Sequence, residues 1–467
     1  MDFKVIHHGG KDTVTGSCHE LQLFDSTSLY SSATKASLLI DCGLFQGKDL
    51  YIRGKESSER SLECDFAIKH INALVLTHAH IDHIGRLPWL LAAGFKGPIL
   101  CTPATAELVP IMLDDGLKLQ LGLNKGQRQR VLDLIKKRIK TVDYHQWHRI
   151  RLGQSYVYIR FNPAGHILGS AYVECKLPNN EIIVFSGDLG PNDTPLLPDP
   201  TPPKRADYVF IETTYGNKVH ESIADRRLRL GSIIQRSIQD GGTIIIPAFS
   251  VGRTQELLFD IEQLIYEKGI SDQLPIIVDS PMAKAVTKSY RKYRKLWSKE
   301  SKDKRQQGRH PLGFDQRIVV KDYKEHLRVV NRLASTGEPA IVIAASGMCQ
   351  GGRVMGYLEA LLSDERTDVI FAGYQAQGTL GRELQKGAEL QHDNRQVTIG
   401  KKRVSVKAQV HTMSGYSAHA DKKDLMQFMK GISSPIKEVH LIHGEPKVKS
   451  EFAKDLRVLE GVELVVE

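Results

Sequence analysis

The run HAHIDH at residues 78–83, entered from the apolar stretch INALVLT (71–77), packs four metal-ligand side chains into six positions. Imidazole and carboxylate are donors that zinc accepts, and a catalytic zinc keeps one coordination position open for water. A lone histidine is most often a satisfied core or surface residue; four ligand-type side chains in this order are hard to explain that way. In an extended loop at a strand end, alternate side chains share a direction. On that geometry His78 and His80 grip one metal, while Asp82 and His83 turn to a second.

A pair of catalytic metals needs more ligands, and candidates stand where other apolar runs end. His166 lies in NPAGHILGS (162–170), Asp188 in FSGDLG (185–190) and Asp41 in LLIDCG (38–43). Glycines around them let the backbone crowd a site. An acid beside a glycine is more often a turn former than a ligand, so each is ambiguous alone. Their joint appearance around HAHIDH favours function.

Outward from these motifs, the first ~210 residues read as short β-type runs, among them SLLIDCG (37–43), YVYIRF (156–161) and EIIVFSGD (181–188). Helical stretches intervene, including PWLLAAG (88–94) and the basic run from Gln127 to Lys140. After about residue 213 the rhythm changes. GGTIIIPAF (241–249), LPIIVDS (274–280), PAIVIAAS (339–346) and TDVIFAGY (367–374) each precede an amphipathic helical stretch. Continuous apolar strands alternating with helices predict βαβ units on a parallel sheet, whose ligands sit beyond the carboxyl ends of the strands. Those ends carry Ser250, Arg253, Ser346, Gly347, Met348 and Tyr374, the candidate substrate-binding residues. Ser346–Met348 also precede Gly351 and Gly352, where a helix start would offer N–H groups to a phosphate; the bland alternative is that these glycines pack helix on strand. From about residue 396 β-type runs return, in VSVKAQVHTM (404–413), KEVHLIHG (437–444) and VELVVE (462–467). The βαβ block therefore reads as an insertion, residues 213–395, into a domain made of 1–212 and 396–467.

Composition bounds the class. At 467 residues, two or three domains are expected. No stretch approaches ~18 apolar residues and no leader pattern opens the chain, so the expectation is a cytoplasmic protein with no membrane partner. The six cysteines include no CxxC pair, so any metal must use histidine and carboxylate. Net charge is +10, from 64 basic and 54 acidic residues. Between Arg291 and Arg309 nine Lys or Arg face two acids, with Tyr290, Tyr293 and Trp297 interleaved. That segment is either a solvated helix face or a phosphate-contacting surface beside stacking aromatics.

HAHIDH, GHILGS and SGDLG resemble the metal motifs of the metallo-β-lactamase fold. IETTYG (211–216), SGYSAHAD (414–421) and LIHGE (441–445) are similar to the β-CASP nuclease branch of that superfamily, as are PAFSVGRTQELL, DSPMA and SGMCQGGR. The resemblance runs over essentially the whole chain and is strongest toward RNA-processing members, including the endonuclease subunit of the pre-mRNA cleavage and polyadenylation factor. It implies an α/β architecture: a metallo-β-lactamase αββα sandwich with an inserted parallel-sheet β-CASP domain. It also implies two Zn2+ per chain, one on His78, His80 and His166, the other on Asp82, His83 and His443, with Asp188 bridging. Asp82 would serve in catalysis as well as in binding. Asp41 would orient ligands, while Glu212 and His419 match the acidic and histidine motifs that this branch adds. All these positions are present, unlike in inactive members that lose ligands.

The chemistry expected from that set is hydrolysis of RNA phosphodiester bonds by a two-metal-activated hydroxide, with RNA, single-stranded, entering a cleft between the domains. His419, oriented by Glu212, would protonate the leaving oxygen. The alternatives are a DNA nuclease, a small-molecule hydrolase such as a lactonase or thioesterase, and a non-catalytic RNA-binding scaffold. The large insertion and the basic segment argue against the small-molecule reading; the complete ligand set argues against the scaffold, since buried charges without metal are costly. The chain ends at Glu467, soon after LIHGE, which leads us to expect an endonuclease whose action can be accompanied by 5′ to 3′ exonuclease trimming. The sequence leaves room for a homodimer. His7, His8, His19, His70, His145, His148, His392 and His411 are read as surface or core residues.

Overall fold

In the computed structural model, the structure describes residues 2–24, 36–50, 62–269, 274–314, 316–389 and 395–467. These described residues form three sheets of six, seven and six strands and one two-stranded hairpin. The chain divides into two compact units. One comprises residues 1–192, 198–219 and 419–467; the other comprises 193–197 and 220–418.

The first unit is a sandwich of two sheets. Strands β1 (Asp2–Gly9), β2 (Cys18–Phe24), β3 (Ala36–Ile40), β4 (Ile71–Val75), β5 (Ile99–Cys101) and β6 (Ile139–Thr141) lie side by side in that order. The facing sheet takes β7 (His148–Leu152), β8 (Ser155–Pro163), β9 (Ala171–Lys176), β10 (Ile182–Phe185) and β11 (Tyr208–Glu212). Two strands from the end of the chain complete it. Between the sheets pack Leu21, Leu38, Val75, Val157, Phe161, Val173 and Phe185. Alternation puts these side chains inward: in β8, Val157, Ile159 and Phe161 are buried while Tyr156 and Tyr158 are exposed.

The second unit is built on β12 (Thr243–Pro247), β13 (Ile276–Asp279), β14 (Arg317–Val319), β15 (Ala340–Ala344) and β16 (Asp368–Phe371). A hairpin, β17 (Gln396–Ile399) and β18 (Lys402–Ser405), precedes β19 (Gln409–Thr412). The sheet order is β14-β13-β15-β12-β16-β19, and every neighbouring pair is parallel. Ile244–Ile246 and Ile341–Ile343 are buried throughout, as a sheet covered on both faces requires. Each such side chain contributes about 1.5–3 kcal/mol by leaving water.

The predicted insertion is there, with different bounds. The chain does not return to the first domain at residue 396: β19 continues the parallel sheet beside β16. Ala418 is the last residue of the second unit, and β20 (Ile436–Ile442) and β21 (Val462–Val466) then join β11. The β-type run 404–413 carries no signal for which sheet it extends; only pairing decides that.

Around the segment 291–309, two of the three rings expected to stack do not do so. Tyr290 and Trp297 are buried, and the indole N–H donates to the Tyr290 carbonyl at 3.0 Å. Those two rings belong to the core and are not a stacking surface. His392 lies outside the described residues. No helix among the described residues is long and apolar enough to cross a membrane.

Candidate metal centre

The HAHIDH run is extended only through His80, whose φ and ψ are −69° and 150°. Residues Ile81–Ile84 then make one helical turn. The expectation of an extended loop throughout is corrected here: helical spacing, not alternation, aims Asp82 and His83 away from His78 and His80. The turn seats tightly, since a Cβ on Gly43 would stand 1.5 Å from the Asp82 carbonyl oxygen. Only glycine tolerates that approach.

Three groups of ligand atoms converge in the first unit: His78, His80, His166 and Asp188; Asp82, His83, Asp188 and His443; and Asp188, Glu212 and His419. All but His419 lie at strand ends of the sandwich or in the segments that directly follow; His419 comes at residue 419, where the chain re-enters the first unit. In the first group His80 Nδ1 is 3.1 Å from His78 Nε2 and 2.9 Å from His166 Nε2. Asp188 Oδ2 stands 3.4 Å from His78 Nε2 and 3.5 Å from His166 Nε2. Its other oxygen, Oδ1, faces His83 Nε2 at 3.2 Å and His443 Nε2 at 3.8 Å. Asp82 Oδ2 is 3.9 Å from His83 Nε2 and 3.7 Å from His443 Nε2. One carboxylate thus turns one oxygen to each group.

These residues fit a metal pair. Ligand atoms tetrahedral about zinc sit roughly 3.3 Å apart, close to the spacings in the first group. Both oxygens of Asp188, Nε2 of His83 and Nε2 of His443 are buried with no hydrogen-bond partner. An ionised carboxylate left so is costly unless cations share it. Burial drives His78 well below the ordinary imidazole range and His80 down to about 4, so both rings are neutral donors at pH 7. Burial opposes charge on Asp188 too, but His443, His83 and His78 outweigh it and hold the carboxyl well below its usual range.

A supporting layer fixes the rings. Asp41 accepts from Thr77 N at 2.8 Å and Thr77 Oγ1 at 2.7 Å, and pairs with His83 Nδ1 at 2.7 Å. Thr77 Oγ1 also lies 3.1 Å from His78 Nδ1. Asp41 and His443 take positive φ, 60° and 51°, a conformation that non-glycine residues keep only where the surroundings impose it. His419 Nδ1 is 3.1 Å from Glu212 Oε2. Glu212 further accepts from Leu189 N at 2.7 Å and Thr214 Oγ1 at 2.6 Å. Thr214 Oγ1 in turn lies 3.1 Å from His443 Nδ1.

Sequence reasoning did not single out Thr77 and Thr214, though each stands one or two residues from a named position, in LTHAH and IETTYG. Three of the other histidines are occupied elsewhere. His8 and His70 pair with Glu20 at 2.8 and 2.6 Å, and His411 with Asp368 at 2.6 Å.

The candidate substrate residues cluster on one edge of the second unit's sheet, at the carboxyl ends of β12, β15 and β16. Ser250 Oγ meets Ser280 Oγ at 2.9 Å, and Arg253 opens the helix Arg253–Lys268. Ser346 Oγ accepts from Gln350 N and donates to the Gly351 carbonyl, both at 3.2 Å. Gln375 Nε2 donates to the Gly347 carbonyl at 2.8 Å, and the Met348 carbonyl accepts from Gly381 N at 3.4 Å. Tyr374, beside Gln375, is half-buried. The helix expected at Gly351 starts later, at Val354, with Arg353 as its cap and that guanidinium bound to the buried carboxylate of Asp279.

Comparison with known proteins agrees with this architecture. The model of the metallo-beta-lactamase superfamily matches residues 24–228, that of the Beta-Casp domain 254–384, and that of a Zn-dependent metallo-hydrolase RNA specificity domain 403–466. Over 462 residues the chain is 34% identical to Ribonuclease TTHA0252 of Thermus thermophilus, covering 99% of this chain and 97% of the relative. It is 32% identical over 450 residues to an RNase J-like protein of Methanocaldococcus jannaschii, covering 96% and 93%. Against the transcription termination factor FttA of Methanothermobacter thermautotrophicus it is 31% identical over 436 residues, covering 89% of this chain but 64% of that longer relative.

Proposed function

The chain belongs to the β-CASP ribonuclease family of the metallo-β-lactamase superfamily, and on that premise we propose that it hydrolyses RNA phosphodiester bonds with two zinc ions per chain. His78, His80 and His166 would hold one ion, Asp82, His83 and His443 the other, and Asp188 both. The observation that carries this reading is the division of Asp188, buried and without hydrogen-bond donors, between two groups of imidazoles. When bound, such ions supply Lewis-acid charge and make water a nucleophile near neutral pH.

The chain's own residues do the rest. Asp41 holds the Nδ1 side of His83, which fixes the ring and leaves Nε2 as the nitrogen that would bind an ion. Thr214 ties Glu212 to His443, coupling the proton-handling pair to a ligand. Glu212 occupies Nδ1 of His419, so Nε2 is the nitrogen that carries a proton to the leaving oxygen. Burial disfavours the charged ring, but Glu212 and then Asp188 overcome it and lift His419 to about 9. With metals bound Asp188 would serve them, leaving Glu212 as the partner that favours the protonated ring of His419. Asp82 completes the catalytic carboxylates. In this reading Ser250, Arg253, Ser346, Gly347, Met348 and Tyr374 hold the RNA backbone, through hydroxyls, a guanidinium and loop N–H groups. The action is endonucleolytic with accompanying 5′ to 3′ trimming, in the cytoplasm.

The test is to incubate zinc-loaded protein with circular RNA, 5′-labelled linear RNA and the matching DNAs. Cutting of circular RNA with the DNAs intact is expected. Inactivity on all four, with two zincs per chain confirmed, overturns the reading.

A further inference from the structure

The seven-stranded sheet of the first unit has an outer face that is covered unevenly. Over β9, β10, β11 and β20, residues Tyr172, Val184, Val209, Ile211 and Leu441 are sealed by Leu425, Phe428, Phe452 and Leu456 from two helices. That cover does not reach β7 and β8. There alternation turns Arg149 and Arg151 outward from β7, and Tyr156 and Tyr158 from β8. Trp147, just before β7, is 39% exposed, Tyr156 41% and Tyr158 39%. The register sets Arg149 opposite Tyr158 and Arg151 opposite Tyr156, so cations and rings alternate across the hairpin.

Two contacts hold this arrangement open. The Arg149 guanidinium lies 4.7 Å from the centre of the Tyr156 ring, and that of Arg160 4.4 Å from the Trp147 ring. Such cation–π pairs favour these side-chain positions over free rotation. The one carboxylate in the sequence of β7, β8 and β9 is Glu174, and it is taken by Arg160 at 2.6 Å and Asn162 at 2.7 Å. Among the described residues no carboxylate pairs with Arg149 or Arg151. Edge strands often carry charge to block stray pairing; that purpose would be served by the arginines alone and worsened by three exposed rings.

We propose that this face is a second RNA-holding surface, on which bases of single-stranded RNA stack against Tyr156, Tyr158 and Trp147 while Arg149 and Arg151 take the phosphates. Rings on a β-surface flanked by cations suit unpaired bases, because every base offers a π-face and every linkage a charge. The proposal rests on RNA being the substrate and adds to it where a distant part of the strand is held. Strand β8 ends at Pro163, three residues before His166. At about 3.3 Å per residue, Tyr158 stands roughly 17 Å along the strand from that end. Only RNA several nucleotides longer than the cleaved dinucleotide spans both places.

The experiment titrates the full zinc-loaded chain into a fluorescent 2′-O-methyl oligouridine of about 20 nucleotides, checked to be intact after each run. Y156A/Y158A is expected to raise Kd at least tenfold, since each stacked base contributes about 1–3 kcal/mol. R149Q/R151Q is expected to lower the slope of log Kd on log salt by about 1.4, from two lost phosphate contacts. Long RNA should show a higher KM with unchanged kcat in both variants. Turnover of bis(p-nitrophenyl) phosphate, too small to reach the hairpin, should match the parent, which also reports intact folding. A Kd within twofold of the parent in both variants overturns the proposal, as does equally tight binding of polyglutamate. If the parent fails to turn over the small phosphodiester, the metal-centre reading falls, while the titration still decides this face.

Discussion

The metal centre and the strand-end loops of the second unit were both expected to meet the substrate, and they handle their polar groups in opposite ways. Around Asp188 buried carboxylate oxygens and ring nitrogens point at one another without hydrogen bonds. At residues 346–353 most side chains are spent on their own loop: Ser346 closes on Gln350 and Gly351, Gln375 braces Gly347 while its Oε1 stays without a partner among the described residues, and Arg353 is drawn to Asp279. Unmet polar atoms mark a place built for a ligand that supplies the missing charge. Satisfied ones mark a place where shape and loop backbone do the holding, with smaller stakes per residue.

The contrast predicts a ranked set of effects. Asp188→Ala should be the most severe, cutting RNA cleavage by roughly 10⁴-fold or more, because both metal groups lose their shared carboxylate. Metal analysis should show fewer than two zincs per chain; a full complement would break the claim that Asp188 joins the groups. His419→Ala should slow cleavage by about 10²–10⁴-fold with zinc content unchanged. In the parent, kcat should fall on the alkaline side as His419, whose charged form Glu212 favours, gives up its proton. Glu212→Gln should move that limb to lower pH, and an unmoved limb would count against the pair.

Removing the metals with a chelator should expose a pH dependence of stability that the loaded protein lacks. Burial disfavours charge on His83 and His443, but Asp188 overrides it and raises both. A raised histidine contributes stability that is full below about pH 6.5 and lost as pH climbs through its folded value. Asp188 is held low, so its contribution is present above about pH 3.9 and lost on acidification. The burial-depressed His78 and His80 work the other way, their contribution being lost as pH falls below about 6.5. Thermal melts of the stripped chain should therefore peak near neutral pH. A stripped chain that melts highest at alkaline pH would contradict this account.

Smaller effects separate the regions further. Gly43→Ala forces a methyl against the Asp82 carbonyl, and overpacking of this kind costs about 1–3 kcal/mol. Zinc should be lost first from the group holding Asp82, leaving close to one ion per chain. Ser346→Ala removes hydrogen bonds worth about 1 kcal/mol each and should raise KM several-fold with kcat and zinc content intact. A large kcat loss there would erase the distinction between the two regions.

Part of this was legible in residues alone. HAHIDH announces its chemistry because ligand identity is a property of side chains, and no fold is needed to see four donors in six positions. The apolar runs 243–247 and 340–344 likewise show a parallel sheet buried on both faces, since burial leaves no room for alternation. What residues near in sequence could not show is what each donor faces. Asp188 stands between the two groups of histidines only because β10 ends beside β4 and β11, within reach of histidines 22 to 255 positions away. The turn Ile81–Ile84 sets the aim of Asp82 and His83 through helical geometry that the string HAHIDH does not display. The place of 409–412 in the second sheet, and the exposure of Tyr156 and Tyr158 beyond the helical cover, were decided the same way. Sequence fixes which groups are available at each position; pairing and burial between distant segments determine which of them meet, and which stay unmet until a ligand arrives.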